Sequence, residues 1–256
     1  MSNYDLIGNI AIVKFQHGIL VRDKKKFALQ LLKEHKNIKT ILEKSQKFSG
    51  RLRTQKTKWI AGEKTKEVLY RENNCEFRFN VDTCYFSPRL SAERNEIASL
   101  VKKGERVLVM FGGVAPFAIV IAKNSKASEV VSVELGRDCN KYALENVKRN
   151  KLENVRTIQS DVRKVVPKLR ERFSRIIMTR PNLKDSFLDV AFRAILKNGV
   201  IHYYGFYAED KFEELKKLIF EEALKTRKKI KILKVKKAGE VGKRKFRFRV
   251  DVEVLN

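Results

Sequence analysis

The chain has 256 residues, and 57 Lys+Arg against 30 Asp+Glu give it a formal net charge of +27 at pH 7. Hydrophobic residues make up 43% and aromatic residues 9%, enough to build a core, which excludes a disordered polycation. A field this strong draws a polyanion first, and nucleic acid is the expected partner. Anionic membrane ranks second, because no basic amphipathic helix with a broad apolar face is visible. A heat-adapted surface would account for many lysines, but glutamate should then rise alongside them, and it does not. The N-terminus lacks a charged segment leading into an apolar one, and no run of apolar residues is long enough to span a membrane. A cytoplasmic protein is expected. Cys75, Cys84 and Cys139 are an odd number without C-x-x-C spacing, and His17, His35 and His202 are scattered. These read as reduced thiols and isolated imidazoles, so no metal site is expected.

In chain order, residues 1–75 read as a small basic α+β domain and residues 76–256 as a larger α/β domain. NIAIVKF is strand-like, and a helix follows from about Asp23, which can cap it, with Phe27, Leu31 and Leu32 on one face. Ile38, Ile41 and Leu42 suggest another short element. The stretch from Lys44 to Lys66 is basic and polar with little apolar periodicity. EVLYRENNCEFRFNVD alternates on both sides of Asn73-Asn74, the pattern of a β-hairpin.

From about Glu105 short apolar runs alternate with helical stretches. RVLVMF, EVVSVE, VRTIQS, SRIIMT and VIHYYGF read as strands. Helices are expected after Pro116, through DCNKYALENVKRNK and through DVAFRAIL. That alternation specifies a parallel sheet covered on both faces. KIKILKV and KRKFRFRVDVEVL close it as an antiparallel pair, with Phe246, Phe248, Val250 and Val252 on one side and Arg247 and Arg249 on the other.

Ligands of such sheets bind outside the carboxyl ends of the strands. The first strand runs into Phe111, Gly112, Gly113 and Val114, where glycines let the backbone pass close to a ligand. Glu134 ends the second strand, placed to accept from both hydroxyls of a ribose. Asp161, after the third, can accept from an adenine amine or, equally, cap a helix. Thr179 and Pro181 follow the fourth. A nucleoside cofactor fits, and the lack of a full G-x-G-x-x-G cradle favours S-adenosylmethionine over a dinucleotide.

The string YFSPRLSAER (85–94), then RVLVMFGGVAPFAI and VIHYYGF, resembles the archaeal and eukaryotic tRNA (guanine(37)-N1)-methyltransferases over nearly the whole chain. The resemblance implies a Rossmann-like class I methyltransferase domain with antiparallel C-terminal strands. It also implies methyl transfer from S-adenosylmethionine to N1 of the guanosine 3′ of the anticodon, in the anticodon stem-loop of tRNA, by a monomer. On this resemblance Glu93 is the general base, Arg89 orients it or holds a phosphate, and Arg53 stabilises charge on guanine O6. Several positions depart from the family pattern. Val109 stands for an aspartate, Gly112 for an alanine, Ala115 for a glycine, and Thr179-Arg180-Pro181 for N-L-P. The alternatives are the related aminocarboxypropyl transferase of the wybutosine pathway and a tRNA-binding homologue with impaired catalysis.

Overall fold

The computed structural model describes residues 3–46, 48–179, 185–242 and 244–256. Contacts divide the chain into two compact units, Met1–Pro88 and Arg89–Asn256.

In the first unit β1 (Asn3–Ile7) and β2 (Ile10–Lys14) form a hairpin. The turn needs Gly8, whose φ is 57° and where a Cβ would lie 2.0 Å from the Leu69 carbonyl oxygen. Helix α1 (Val21–Glu34) crosses to β3 (Thr40–Lys44), parallel to β2. The helix begins after Leu20, two residues ahead of the expected cap, so Asp23 lies in the first turn and complements the macrodipole instead. Ala28 and Leu31 pack onto Ala11, Val13, Ile41 and Ile60. The basic stretch read as aperiodic contains a strand, β4 (Thr57–Gly62), antiparallel to β3. Its apolar positions, Trp59, Ile60 and Ala61, are too few to show alternation. β5 (Glu67–Glu72) and β6 (Cys75–Asn80) form the expected hairpin. Asn73 and Asn74 have φ of 48° and 60°, the pair a two-residue primed turn requires.

The second unit opens with α2 (Ser91–Leu100). It then runs β7 (Arg106–Met110), α3 (Pro116–Asn124), β8 (Glu129–Glu134), α4 (Arg137–Arg149) and β9 (Val155–Gln159). After these come α5 (Val162–Val165), β10 (Phe173–Met178), α6 (Leu188–Ala194) and β11 (Ile195–Ala208). Helix α7 (Phe212–Lys225), β12 (Ile230–Gly242) and β13 (Lys245–Val254) complete the unit. The sheet order is β12-β13-β11-β10-β7-β8-β9. β11, β10, β7, β8 and β9 are parallel neighbours, and β13 runs antiparallel to both β11 and β12. This is the Rossmann-like sheet with antiparallel C-terminal strands expected from the sequence.

Strand order reverses between β7 and β10, so their carboxyl ends open the crevice where a ligand can enter. One face of β13 packs as expected: Phe248, Val250 and Val252 join Leu215 and Ile219 of α7. The other face is not solvated. Arg247, Arg249 and Asp251 are 8%, 0% and 5% exposed, so the alternation of charge with apolar residues marks two buried faces.

Candidate functional site

The turn after β7 is tightly held. Gly112 N–H donates to the Val133 carbonyl of β8 at 2.9 Å, and a Cβ on Gly112 would lie 2.0 Å from the Ser132 hydroxyl. Only glycine lets the turn lie this close to β8. Phe111, Gly113 and Ala115 have φ of 64°, 57° and 64°. Two of the three carry a Cβ in the left-handed region, at a cost of about 1–2 kcal/mol each, and strain of this kind gathers at ligand sites. Val114, fully buried, has its carbonyl capped by the amide of Asn146 on α4 at 3.2 Å.

Glu134 ends β8, and its carboxylate is locked by two backbone donors. Gly113 N–H reaches Oε2 at 2.8 Å and Gly136 N–H reaches Oε1 at 2.6 Å. Each oxygen keeps a lone pair for a further donor, which is what two ribose hydroxyls require. Burial raises the carboxyl above its usual range, partly offset by the glycine amides. The turn, Glu134 and the open strand ends therefore fit a nucleoside. Glu134→Ala is expected to weaken cofactor binding by about 1.5–3 kcal/mol, read by calorimetry. Wild-type affinity should fall as pH drops through the raised carboxyl range, because a protonated carboxyl loses acceptor capacity.

The other strand ends are occupied differently. Asp161 is the N-cap of α5, accepting from Arg163 N–H at 2.9 Å, so its Oδ1 serves the backbone. The Thr179 hydroxyl donates to the Met110 and Phe111 carbonyls at 3.2 and 3.0 Å, tying β10 to β7 at the reversal point. Phe111 packs edge-on against Phe187, with ring centroids 5.0 Å apart. Arg163 lies over Phe187 and pairs with Asp185 and Asp189, pinning the start of α6. Pro181 lies outside the described residues.

In the first unit Arg53 sits on a tight loop, with φ of 52° and its N–H donating to the Gly50 carbonyl at 3.2 Å. Its guanidinium carbon is 3.8 Å from the Tyr85 ring centroid and 5.9 Å from that of Phe48. Stacking fixes the plane of the cation while leaving its edge N–H groups in one orientation, a suitable presentation to an oxyanion.

Glu93 lies in the first turn of α2, only 5% exposed. Oε1 accepts from the Tyr204 hydroxyl at 2.8 Å and from Arg249 at 2.6 Å, and Oε2 accepts from Lys236 at 2.8 Å. Tyr204 lies one residue past Tyr203, which is in register with Met178 at the end of β10. Glu93 is thereby held near the carboxyl end of the sheet. Arg89 precedes the helix, exposed in the 3-10 turn Pro88–Leu90.

Arg249 also donates to Glu96 at 2.7 Å and pairs with Asp251. From Asp251 the chain of partners continues to His202, 2.6 Å away, and from His202 Nε2 to Arg175 at 2.7 Å. Since arginine can only donate, His202 Nε2 accepts and Nδ1–H donates to Asp251. Burial holds the imidazole below its usual pKa, consistent with this neutral tautomer. Arg175 ends the chain on Glu105. Tyr204, Lys236, Arg249, Asp251, His202 and Arg175 were all missed by sequence reasoning. The available signal was an acid two residues after an arginine on the same face of an interior strand.

Burial would raise the Glu96 carboxyl, but Lys236, Arg249 and Lys234 together hold it at about 2 against an ordinary 4.5. A depressed carboxyl contributes stability that is complete above pH 4.5 and is lost as pH falls toward 2. At about 1.4 kcal/mol per unit this is at most about 3.5 kcal/mol, and solvent screening of a carboxylate that is 28% exposed lowers it to on the order of 2 kcal/mol. Thermal unfolding between those pH values should be less steeply pH-dependent in Glu96→Gln than in the wild type.

Two family models match this chain: the TRM5/TYW2 methyltransferase domain over residues 68–233 and the TYW2 N-terminal domain over residues 1–65. The chain belongs to the TRM5/TYW2 methyltransferase family. It is 39% identical over 205 residues to the tRNA (guanine(37)-N(1))-methyltransferase Trm5b of Pyrococcus abyssi, covering 80% of this chain and 60% of that one. The Trm5b crystal structure superposes with a TM-score of 0.88 at 34% identity, over 99% of this chain and 75% of that one. A Nanoarchaeum equitans relative, tRNA (guanine(37)-N(1))/4-demethylwyosine(37)-methyltransferase Taw22, is 33% identical over 99% of this chain and 100% of its own. The structure of Methanocaldococcus jannaschii TYW2 in complex with AdoMet has a TM-score of 0.77 at 26% identity, over 99% of each chain. Among the described residues, no helix is long and apolar enough to cross a membrane, and no group of acidic, histidine or cysteine side chains could hold a metal ion.

Proposed function

We propose that the protein is an S-adenosylmethionine-dependent tRNA methyltransferase that modifies N1 of the guanosine immediately 3′ of the anticodon. The observation that carries this reading is Glu93, a carboxylate of the family string, held by three donors near the carboxyl end of the sheet. Both Trm5b and Taw22, the relatives above, bear names that specify this atom of this nucleotide.

The chain's own groups divide the work. Glu134, with the Phe111–Val114 turn, would hold the nucleoside of the cofactor. Bound there, S-adenosylmethionine supplies an electrophilic methyl group on a sulfonium sulfur. Neutral guanine carries a hydrogen on N1 and is a poor nucleophile there, so a base must take that proton as the methyl arrives; Glu93 is assigned that role. The negative charge that develops on O6 calls for a fixed cation, and the stacked guanidinium of Arg53 is assigned to it. Arg89, exposed ahead of α2, is assigned to a substrate phosphate. The net charge of +27 favours a polyanionic substrate. Asp161 and Thr179 are given supporting roles at the rim, through the cap of α5 and the β7–β10 tie.

A second reading has its own support. The N-terminal family model is that of TYW2, and the TYW2 structure matches over nearly all of both chains. It would have the same cofactor donate its aminocarboxypropyl group. Two parallel incubations, each with tRNA carrying guanosine and with tRNA carrying 4-demethylwyosine 3′ of the anticodon, separate the readings, one with the cofactor labelled in the methyl group and one with the label in the carboxyl. Methyl label alone on the RNA supports the proposal, and carboxyl label overturns it in favour of the second reading.

A further inference from the structure

We propose that Lys236 is a contact for a phosphate of the RNA substrate, and that its capture by that phosphate bares Oε2 of Glu93 for the N1 proton. The inference rests on Glu93 being the base. The two oxygens of that carboxylate are held in different ways. Oε1 is fixed from inside the unit by Tyr204, 2% exposed, and by Arg249, 0% exposed. Tyr204 packs against Phe117, with ring centroids 6.0 Å apart, and Arg249 is tied to Glu96 and Asp251 as well. Neither donor can withdraw without opening the core. Among the described residues Oε2 is held by Lys236 alone, and that side chain is 34% exposed. It comes from β12, an edge strand of the sheet.

A proton can reach the carboxylate only where a lone pair is accessible, and Oε2 is the side that can open. Leaving Glu93 and Glu96 for water would cost Lys236 two charge-assisted bonds. Leaving them for a phosphate exchanges anion for anion, which makes polyanion binding the event able to move it. The surroundings favour such an approach: Lys231 and Lys234, in register with Glu253 and Asp251 on the face of Lys236, are exposed, and Glu240 is the strand's only acid. Lys236 thus acts through Glu93, as a positioning residue that couples RNA binding to release of the base. An RNA fragment that lacks the phosphates of the anticodon stem would meet a carboxylate still covered.

The test uses the full chain in single-turnover methyl transfer, on a tRNA transcript and on an anticodon-loop heptanucleotide. Lys236→Met should speed transfer to the heptanucleotide by about tenfold, a fraction of the 10²–10⁴ a general base supplies. The same variant should weaken tRNA binding and lower the slope of log affinity against log salt by about one. Lys236→Arg, which keeps the charge, should leave the heptanucleotide as poor a substrate as it is for the wild type. A variant slowed equally on both substrates, or an unchanged salt slope, overturns the proposal and makes Lys236 a structural partner of Glu93. Glu93→Gln in both backgrounds separates the two claims. If it slows transfer while Lys236→Met fails to favour the heptanucleotide, this proposal alone falls. If it has no effect in either background, the assignment of the base falls and takes this proposal with it.

Discussion

Glu93→Gln is expected to lower the single-turnover rate of methyl transfer by about 10²–10⁴, the usual worth of a positioned general base. Glutamine keeps the length and one acceptor oxygen, so Tyr204 and Arg249 can still be satisfied at Oε1. The amide cannot accept the N1 proton, and its NH₂ group would face Lys236 donor to donor. The variant should therefore also lose stability, by about 1–3 kcal/mol, because a buried donor is left without its acceptor. The two effects separate by measuring the rate below the unfolding transition with saturating tRNA and cofactor. Binding of either substrate should change little, since proton abstraction is a transition-state interaction. Transfer at the wild-type rate would make Glu93 a structural carboxylate and require another base.

The second large effect concerns stability. Arg249 is fully buried and faces three carboxylates, Glu93, Glu96 and Asp251. Arg249→Met fills comparable volume but leaves two nearly buried acids without their main cation. Breaking a buried pair by removing one partner costs about 3–5 kcal/mol. For a chain of this size that corresponds to roughly a 10 °C fall in the calorimetric transition of the second unit. Pairing the change with Glu93→Gln should cost less than the sum, because the second substitution removes one of the stranded charges. A loss below about 1 kcal/mol would mean that water reaches these acids and that the pairs behave like surface salt bridges.

The parallel sheet was legible because each strand is a short apolar run bounded by turn residues, and the hairpin because Asn73-Asn74, residues that tolerate the positive φ found there, sit between two alternating runs. Glu134 could be located at a strand end from alternation alone. Its bonding to Gly113 and Gly136 could not, since those contacts depend on how two turns meet. Asp161 shows the limit of a residue-type argument: ligand acceptor and helix cap were equally good readings, and the structure shows the cap. The network around Glu93 was the least legible part. Period-two alternation says which residues share a face of β13, but not that α2 covers the charged one. Arg249 and Glu93 are 156 residues apart and share no pattern. The strand in the basic stretch was hidden for a simpler reason, with only three apolar residues to show its period.

The claim that the chain transfers a methyl group to N1 of one guanosine is tested most directly by mass spectrometry of nucleosides. Two tRNA transcripts would be incubated with methyl-labelled S-adenosylmethionine, one with guanosine and one with adenosine immediately 3′ of the anticodon. The account predicts labelled 1-methylguanosine from the first transcript and no labelled nucleoside from the second. Label at another atom of guanine, equal labelling of both transcripts, or an aminocarboxypropyl product would contradict it.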